Sequence, residues 1–161
     1  MQKFINFLKI LFPYILVVLG TRFLFTKVFM IAYVPTSSME NTIDAKSFVL
    51  ANRMNTENID RYDIIIFDDP ENPTRYFVKR VIGLPNDVVE IKDNHVYVNG
   101  VLTREDFIKE KMQCEDMEFI VPEGSYFVMG DNRNNSKDSR YLKGNYIKAD
   151  TIHAKVFRFR N

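Results

Sequence analysis

Nucleophilic catalysis is the chemistry that the side chains of this sequence could support most directly. A serine hydroxyl attacks a carbonyl only when a neighbouring base accepts its proton. The chain offers two adjacent serines, Ser37 and Ser38, in the segment Pro35-Thr36-Ser37-Ser38-Met39. Neither of its two histidines, His95 and His153, lies in a comparable segment. A lysine that has lost its proton is therefore the base to look for.

Lys79 lies in an apolar segment, residues 76–83, with the sequence Tyr-Phe-Val-Lys-Arg-Val-Ile-Gly. The composition predicts a strand, in which Phe77 and Lys79 share one face while Arg80 points to the other. Both faces are largely apolar, so one of the two cations must enter a poorly solvated environment or find a partner. A desolvated lysine loses proton affinity and can serve as a base, whereas an arginine stays protonated. The alternative is a solvated lysine at a strand edge.

A third polar segment, residues 130–140, has the sequence Gly-Asp-Asn-Arg-Asn-Asn-Ser-Lys-Asp-Ser-Arg. Segments rich in Asp, Asn and Ser are usually solvated turns and sometimes calcium loops. A calcium loop needs acidic residues at regular spacing and a closing glutamate. Arg133 and Lys137 fit that pattern badly.

Composition excludes several other classes of function. The 161 residues suffice for one domain with a sizeable core, and the net charge of +1 gives no argument for binding nucleic acid. The single cysteine, Cys114, excludes an internal disulfide and a thiolate metal cluster. We therefore expect neither a metal nor another cofactor.

The N-terminal residues differ from the rest of the chain in being strongly apolar. Residues 4–20 are apolar apart from Asn6 and Lys9, and a second apolar run covers residues 23–34. We predict one membrane span over about residues 4–24, since a span needs roughly 20 apolar residues. Lys3 and Lys9 favour a cytoplasmic N-terminus. A cleaved signal peptide and a helix lying in the membrane interface are the alternatives.

The remainder of the chain is predicted to be β structure. Short runs of Val, Ile, Phe and Tyr alternate with turn residues, which predicts strands at 48–51, 64–67, 75–82, 88–92, 95–98, 126–129 and 154–160. Asn99-Gly100 is a hairpin signal. Residues 105–118 are the only candidate for a helix, and their charge favours a mobile insertion. The expected architecture is a membrane anchor at 1–28 and a single antiparallel β-rich domain at 29–161.

Together the three segments around Ser38, Lys79 and 130–140 resemble those of the type I signal peptidases, membrane-anchored serine proteases that remove signal peptides from exported proteins. The resemblance implies that Ser38 is the nucleophile and Lys79 the general base. The oxyanion would be bound by the Ser38 backbone N–H and the Thr36 hydroxyl, and Ser136 would hydrogen-bond and orient Lys79. The resemblance further implies two structural ion pairs, Arg80 with Asp131 and Asp138 with Arg140.

The same resemblance implies a substrate and a location. The signal peptide of an exported preprotein would bind as an added strand, with small side chains entering shallow apolar pockets. We expect five residues to line those pockets: Val34, Pro35, Met39, Ile43 and Phe77. The catalytic domain would lie on the extracytoplasmic side of the cell membrane, held by a single span in the lipid bilayer, with the secretion translocon close by.

The sequence departs from the family pattern at three positions that carry no reacting group. Asn41 stands where the family often has proline. Tyr62 and Asn86 stand where it usually has glycine. Asparagine tolerates left-handed backbone geometry, so the change at Asn86 is mild.

Three other functions remain open from the sequence alone. A self-cleaving repressor-type protease also uses Ser and Lys, although it would carry a helical DNA-binding domain instead of an apolar N-terminus. A peptidase specialised for pilin or conjugation substrates would keep the same chemistry. A membrane-tethered β module that only binds a partner would tolerate loss of Ser38 or Lys79.

Overall fold

The computed structural model describes residues 1–157, and its first element is a long apolar helix. Helix α1 (Gln2–Phe23) continues into a π-helical turn, Leu24–Val28. The 27 residues from Gln2 to Val28 are long and apolar enough to cross a membrane, since a helix rises about 1.5 Å per residue and a bilayer core is about 30 Å thick. The helix exceeds the predicted span of 4–24 at both ends.

The rest of the described chain is built from eleven strands. Their bounds are β1 (Phe29–Val34), β2 (Ser47–Asn52), β3 (Ile64–Asp69), β4 (Asn72–Gly83), β5 (Val88–Lys92), β6 (His95–Val98), β7 (Val101–Leu102), β8 (Met117–Ile120), β9 (Ser125–Met129), β10 (Ile147–Lys148) and β11 (Ile152–Val156). One sheet has the order β1-β2-β11-β3-β4-β9-β10 and the other the order β7-β6-β5-β8. All pairings are antiparallel. The predicted fold class, mostly β after one N-terminal apolar helix, is confirmed.

All seven predicted strands are present, and 88–92 and 95–98 have the predicted bounds. The end of the predicted strand 154–160 lies outside the described residues. The sequence analysis missed four strands, of which β1 is the most important because it leads directly to Ser38. Its residues fall in the second apolar run of the sequence, and composition alone does not distinguish a short apolar strand from part of an apolar helix.

Residues 105–116 form turns and irregular backbone that pack against the β domain, and residues 117–118 begin β8. This packing contradicts the predicted mobile insertion. Phe107 and Met112 are buried in the apolar core. The backbone N–H of Lys109 donates to the Asp131 carbonyl at 3.1 Å. Asn134 donates to the Lys111 carbonyl at 3.0 Å and accepts from the Gln113 N–H at 2.8 Å. Most charged side chains of this segment are exposed, with Glu105 as the exception, while its backbone is held by the loop 130–140.

The three departures from the family pattern share one backbone property. Asn41, Tyr62 and Asn86 all have positive φ, at 87°, 74° and 69°. This left-handed region is open to glycine and accessible to asparagine, but it is uncommon for a bulky residue such as tyrosine. The turns at Tyr62 and Asn86 therefore keep the geometry that a glycine would adopt.

The register of the large sheet brings the segments of the site together. Strand β4 pairs with β3 through Ile65 opposite Lys79. On its other side β4 pairs with β9 through Arg80 opposite Met129. Because β9 ends at Met129, the loop 130–140 leaves the sheet directly beside Arg80. The strand that carries Lys79 is thus fixed between two neighbours.

Candidate active site

Ser38 lies in the turn after β1, where core packing and backbone hydrogen bonds fix its position. The next residue, Met39, is fully buried and packs with Met30 and Val49. The Ser38 carbonyl accepts a hydrogen bond from the Asn132 N–H at 3.1 Å. The Asn132 side chain also donates to the Ser37 carbonyl at 3.1 Å. Ser38 is therefore held by the buried side chain of Met39 and by the hydrogen bonds of Asn132.

Lys79 reaches Ser38 from the facing strand β4. Its Nζ lies 2.5 Å from Ser38 Oγ, and the two residues are only 5% and 7% exposed. Thr36 Oγ1 lies 3.3 Å from the same Ser38 oxygen. An amine and a hydroxyl in this contact can exchange a proton without an intervening water.

Burial lowers the pKa of Lys79 from its ordinary value of 10.5 to about 8. Desolvation of the charged ammonium is the main cause, because Lys79 is almost wholly removed from water. The carboxylates of Asp138 and Asp131 act in the opposite direction and keep the pKa from falling further. A measurable fraction of Lys79 is consequently neutral near physiological pH.

Two buried ion pairs hold the loop 130–140 against the sheet, and both pair the residues that the resemblance implied. Arg80 donates from Nε and Nη2 to the two Asp131 oxygens at 2.8 and 2.6 Å. Arg140 donates from Nε and Nη2 to the two Asp138 oxygens, both at 2.8 Å. Two-point contacts of this kind fix orientation as well as distance. Asp138 also accepts the Gly130 N–H at 2.9 Å.

The implied hydrogen bond between Ser136 and Lys79 is not present. Ser136 Oγ is buried and has no hydrogen-bond partner among residues 1–157. A Cβ on Gly130 would collide with Ser136 Oγ and with the Ser38 carbonyl oxygen, so this hydroxyl lies close against the Gly130 backbone. Lys79 instead directs its amine at Ser38.

A groove of about 260 Å³ runs past Ser38 and Lys79. Three of the five predicted pocket residues line it, namely Val34, Pro35 and Phe77. The other two predictions are wrong. Met39 is fully buried in the core, and Ile43 lines a different cavity beside Arg80. Both side chains belong to the apolar core cluster under the turn that carries Ser38.

Several polar residues that the sequence did not single out lie at the turn that carries Ser37 and Ser38 or line the groove beside it. Asn132 binds the backbone of Ser37 and Ser38, and Asn135 donates from its amide to Ser37 Oγ at 2.9 Å. Asn135 and Lys137 also line the groove. All three lie in the loop 130–140, so the polar composition of that loop was the available signal. Composition does not tell which of its side chains turn inward.

Asn41 links the turn after Ser38 to the packed segment 105–118. Its side-chain amide donates to the carbonyls of Phe107 and Ile108 at 3.1 and 3.3 Å. Beside it, Lys109 pairs with Glu40 at 2.5 Å. The Phe107 ring in turn lies 4.2 Å from the guanidinium carbon of Arg80. Segment 105–118 therefore contacts both the turn after Ser38 and the strand that carries Lys79.

We expect Asn41→Pro to destabilise the protein much more than Asn41→Gly. Proline fixes φ near −65°, whereas Asn41 has φ of 87°, so the turn after Ser38 would have to be rebuilt. Glycine keeps the backbone geometry and loses only the two amide hydrogen bonds, each of which contributes about 1 kcal/mol. Urea denaturation of both variants measures the difference. Equal stability of the two variants would contradict the left-handed turn.

A serine hydroxyl in contact with a buried lysine amine of lowered pKa is an arrangement able to support acyl transfer by a Ser–Lys pair. The family profile "Signal peptidase, peptidase S26" matches residues 4–159. The chain belongs to this family.

Named relatives and a solved structure agree with that assignment. Signal peptidase I of Pseudomonas aeruginosa PAO1 is 32% identical over 187 residues, which cover 89% of this chain and 65% of the relative. This chain thus spans about two thirds of that protein. Signal peptidase I P of Bacillus subtilis subsp. natto is 37% identical over 164 residues, covering 94% of this chain and 86% of the relative. The crystal structure of a signal peptidase I from Enterococcus faecalis V583 has a TM-score of 0.55 and 35% identity, and it covers 63% of this chain and 97% of its own.

Proposed function

We propose that this protein is a membrane-bound serine endopeptidase that removes N-terminal signal peptides from exported preproteins. Ser38 is the nucleophile and Lys79 the general base. The observation that carries the proposal is the 2.5 Å contact between Lys79 Nζ and Ser38 Oγ in a buried environment. Membership of the signal peptidase family supplies the substrate class.

Catalysis begins when neutral Lys79 takes the proton of Ser38 as Oγ attacks the carbonyl carbon of the scissile peptide bond. The Ser38 backbone N–H and the Thr36 hydroxyl donate to the oxyanion, and such donors typically account for 10²–10³-fold in rate. Lys79 then gives its proton to the leaving amine, and an acyl-enzyme remains. A water molecule, deprotonated by Lys79, hydrolyses the ester and restores Ser38.

The sheet supports binding of the substrate as an extended strand. β1 is the outermost strand of the seven-stranded sheet, so its outer edge can hydrogen-bond an added peptide. Val34 and Pro35 lie at the end of β1, and Phe77 lies across the groove on β4. Their apolar surfaces accept the small side chains that precede the cleavage site.

The N-terminal helix supports anchoring in the lipid bilayer. Residues 1–28 form the anchor and residues 29–161 the catalytic domain, which lies on the extracytoplasmic side near the secretion translocon. Every residue of α1 is exposed, which suits a helix surrounded by lipid. Lys3 and Lys9 favour a cytoplasmic N-terminus.

The test is cleavage of a model preprotein by the purified full-length protein, with the cut site mapped by mass spectrometry. We expect one cut after a small-x-small sequence, and no cut by the Ser38→Ala variant. Intact preprotein after prolonged incubation with folded enzyme would reject the proposed function.

Removal of residues 1–27 should give a protein that remains in buffer and still cleaves short peptides. Both proposed catalytic residues lie beyond this segment, and β1 begins at Phe29. Val28 is kept because its carbonyl accepts the Arg53 N–H at 2.8 Å. The measurement is partition between detergent and buffer, together with the peptide cleavage rate. Recovery of the full-length protein in the soluble fraction without detergent would contradict the anchor.

A further inference from the structure

In the part of the chain that the structure describes, the side chains that line the groove beside Ser38 and can carry a charge near neutral pH are lysines. Among the described residues that line it are two lysines, Lys79 and Lys137, and no carboxylate. Lys79 is buried against the nucleophile and must be neutral to act as base. Lys137 is therefore the lining residue that keeps a positive charge while the enzyme works.

Lys137 lies at the rim of the groove in an exchangeable ion pair. Its Nζ is 2.6 Å from Glu71 Oε2, and the two side chains are 49% and 46% exposed. Glu71 belongs to the hairpin connection between β3 and β4. Exposed pairs of this kind contribute little to stability. A carboxylate on a bound peptide can therefore compete with Glu71 for the Lys137 ammonium.

We propose that Lys137 is a specificity-determining residue that favours an acidic side chain, and disfavours a basic one, in the extended substrate. The inference rests on the proposed function and names a preference within its substrate class. Side chains of an extended peptide point alternately to opposite sides. The preference should accordingly occur at one substrate position, or at two positions separated by one residue.

The expected preference is modest and sensitive to salt. Contact between two exposed charges changes an equilibrium by about two- to fivefold. We therefore expect kcat/KM to be about two- to fivefold higher for the glutamate peptide than for the glutamine peptide. For the lysine peptide it should be lower than for the glutamine peptide by about the same factor. Added salt screens exposed charges, with a Debye length of about 8 Å at physiological ionic strength. The preference should therefore shrink between low and high salt.

The experiment uses the full-length enzyme in detergent and one signal-peptide substrate in which each position near the cut carries Glu, Gln or Lys in turn. The readout is the ratio of kcat/KM values within each set, so that a change in overall rate does not affect it. Lys137→Met should remove the preference, and Lys137→Glu should reverse it. Glu71→Gln should strengthen it, because Lys137 then has no competing carboxylate. Lys143→Glu makes the same change of charge at an exposed residue outside the groove and should leave the ratio unchanged.

Three outcomes separate this inference from the proposed function. A preference for Glu that disappears in Lys137→Met supports it. Cleavage of all three peptides at equal rates, or a preference that survives in Lys137→Glu, overturns the inference and leaves the peptidase intact. If no peptide of the set is cleaved by folded enzyme, the proposed function itself fails.

Discussion

Ser38→Ala and Lys79→Met should each lower the rate of peptide cleavage by at least about ten-thousandfold, the loss typical of removing a nucleophile or its base. Each variant lacks one atom of the 2.5 Å contact on which acyl transfer depends. Cleavage of a fluorogenic signal-peptide substrate measures the loss. Because both residues act in one step, the double variant should be hardly slower than either single one.

Two further substitutions show which atoms react. Lys79→Arg should be as inactive as Lys79→Met, since a guanidinium stays protonated and cannot accept the serine proton. Ser37→Ala removes only an acceptor for the Asn135 amide, and we expect it to cost less than about tenfold. If Ser37→Ala is inactive while Ser38→Ala cleaves normally, the nucleophile has been assigned to the wrong serine.

The inactive Lys79→Met variant should be more stable than the wild type. The pKa of Lys79 is about 8 in the folded protein against an ordinary value of 10.5, so the unfolded chain binds the proton more tightly. Below pH 8 this difference destabilises the folded state by about 3 kcal/mol. The destabilisation fades as the pH rises from about 8 to 10.5. Methionine fills a similar volume without a charge, so the gain in unfolding free energy should be present at pH 7 and small at pH 10.5.

A gain of this kind cannot arise from general damage to the fold. Thermal unfolding of both proteins at pH 7 and pH 10.5 checks it, with Lys137→Met as a matched control at an exposed lysine. A lower melting temperature for Lys79→Met than for wild type at pH 7 would show that the amine is solvated or fully paired in solution.

The position of a strand could be predicted from the sequence where a turn lies at each of its ends. Strands β5 and β6 are separated by Asp93-Asn94, which have φ of 51° and 66°, and β6 is followed by Asn99-Gly100. Asp, Asn and Gly favour turns, so the residues themselves indicate where the chain reverses its direction. Strand β1 has no such boundary, because its apolar residues follow directly from the apolar helix. Its pairing with β2, through contacts such as Ile31 opposite Leu50, is a tertiary interaction.

The proposed catalytic pair, Ser38 and Lys79, could be named from the sequence only through the family resemblance. The strand pattern around Lys79 and Arg80 indicated that a cation must be buried or paired, and both are buried. Which serine faces Lys79 depends on how the turn after β1 packs, and no local pattern contains that information. Met39 and Ile43 illustrate the limit, since apolar residues beside a nucleophile can line a pocket or fill the core.

The cleavage rate of the wild-type enzyme should rise tenfold for each pH unit below about 8 and become constant above it. Lys79 acts as a base only when neutral, and its pKa in the free enzyme is about 8. The pH dependence of kcat/KM reports groups of the free enzyme, so this is the quantity to measure. At pH 6 the value should be about one hundredth of the plateau.

A substitution that changes the electrostatic potential at Lys79 tests whether Lys79 is the group that titrates in the pH profile. The Asp138 carboxylate raises the pKa of Lys79 against the effect of burial. Asp138→Asn removes that charge, so the pKa should fall and the midpoint of the profile should move to lower pH. Glu123→Gln removes a carboxylate that lines a cavity on another part of the surface and should leave the midpoint unchanged. A midpoint that stays fixed in folded Asp138→Asn, or a flat wild-type profile between pH 6 and pH 9, would exclude Lys79 as the base. A shift confined to Asp138→Asn would tie the pH dependence to the buried amine beside Ser38.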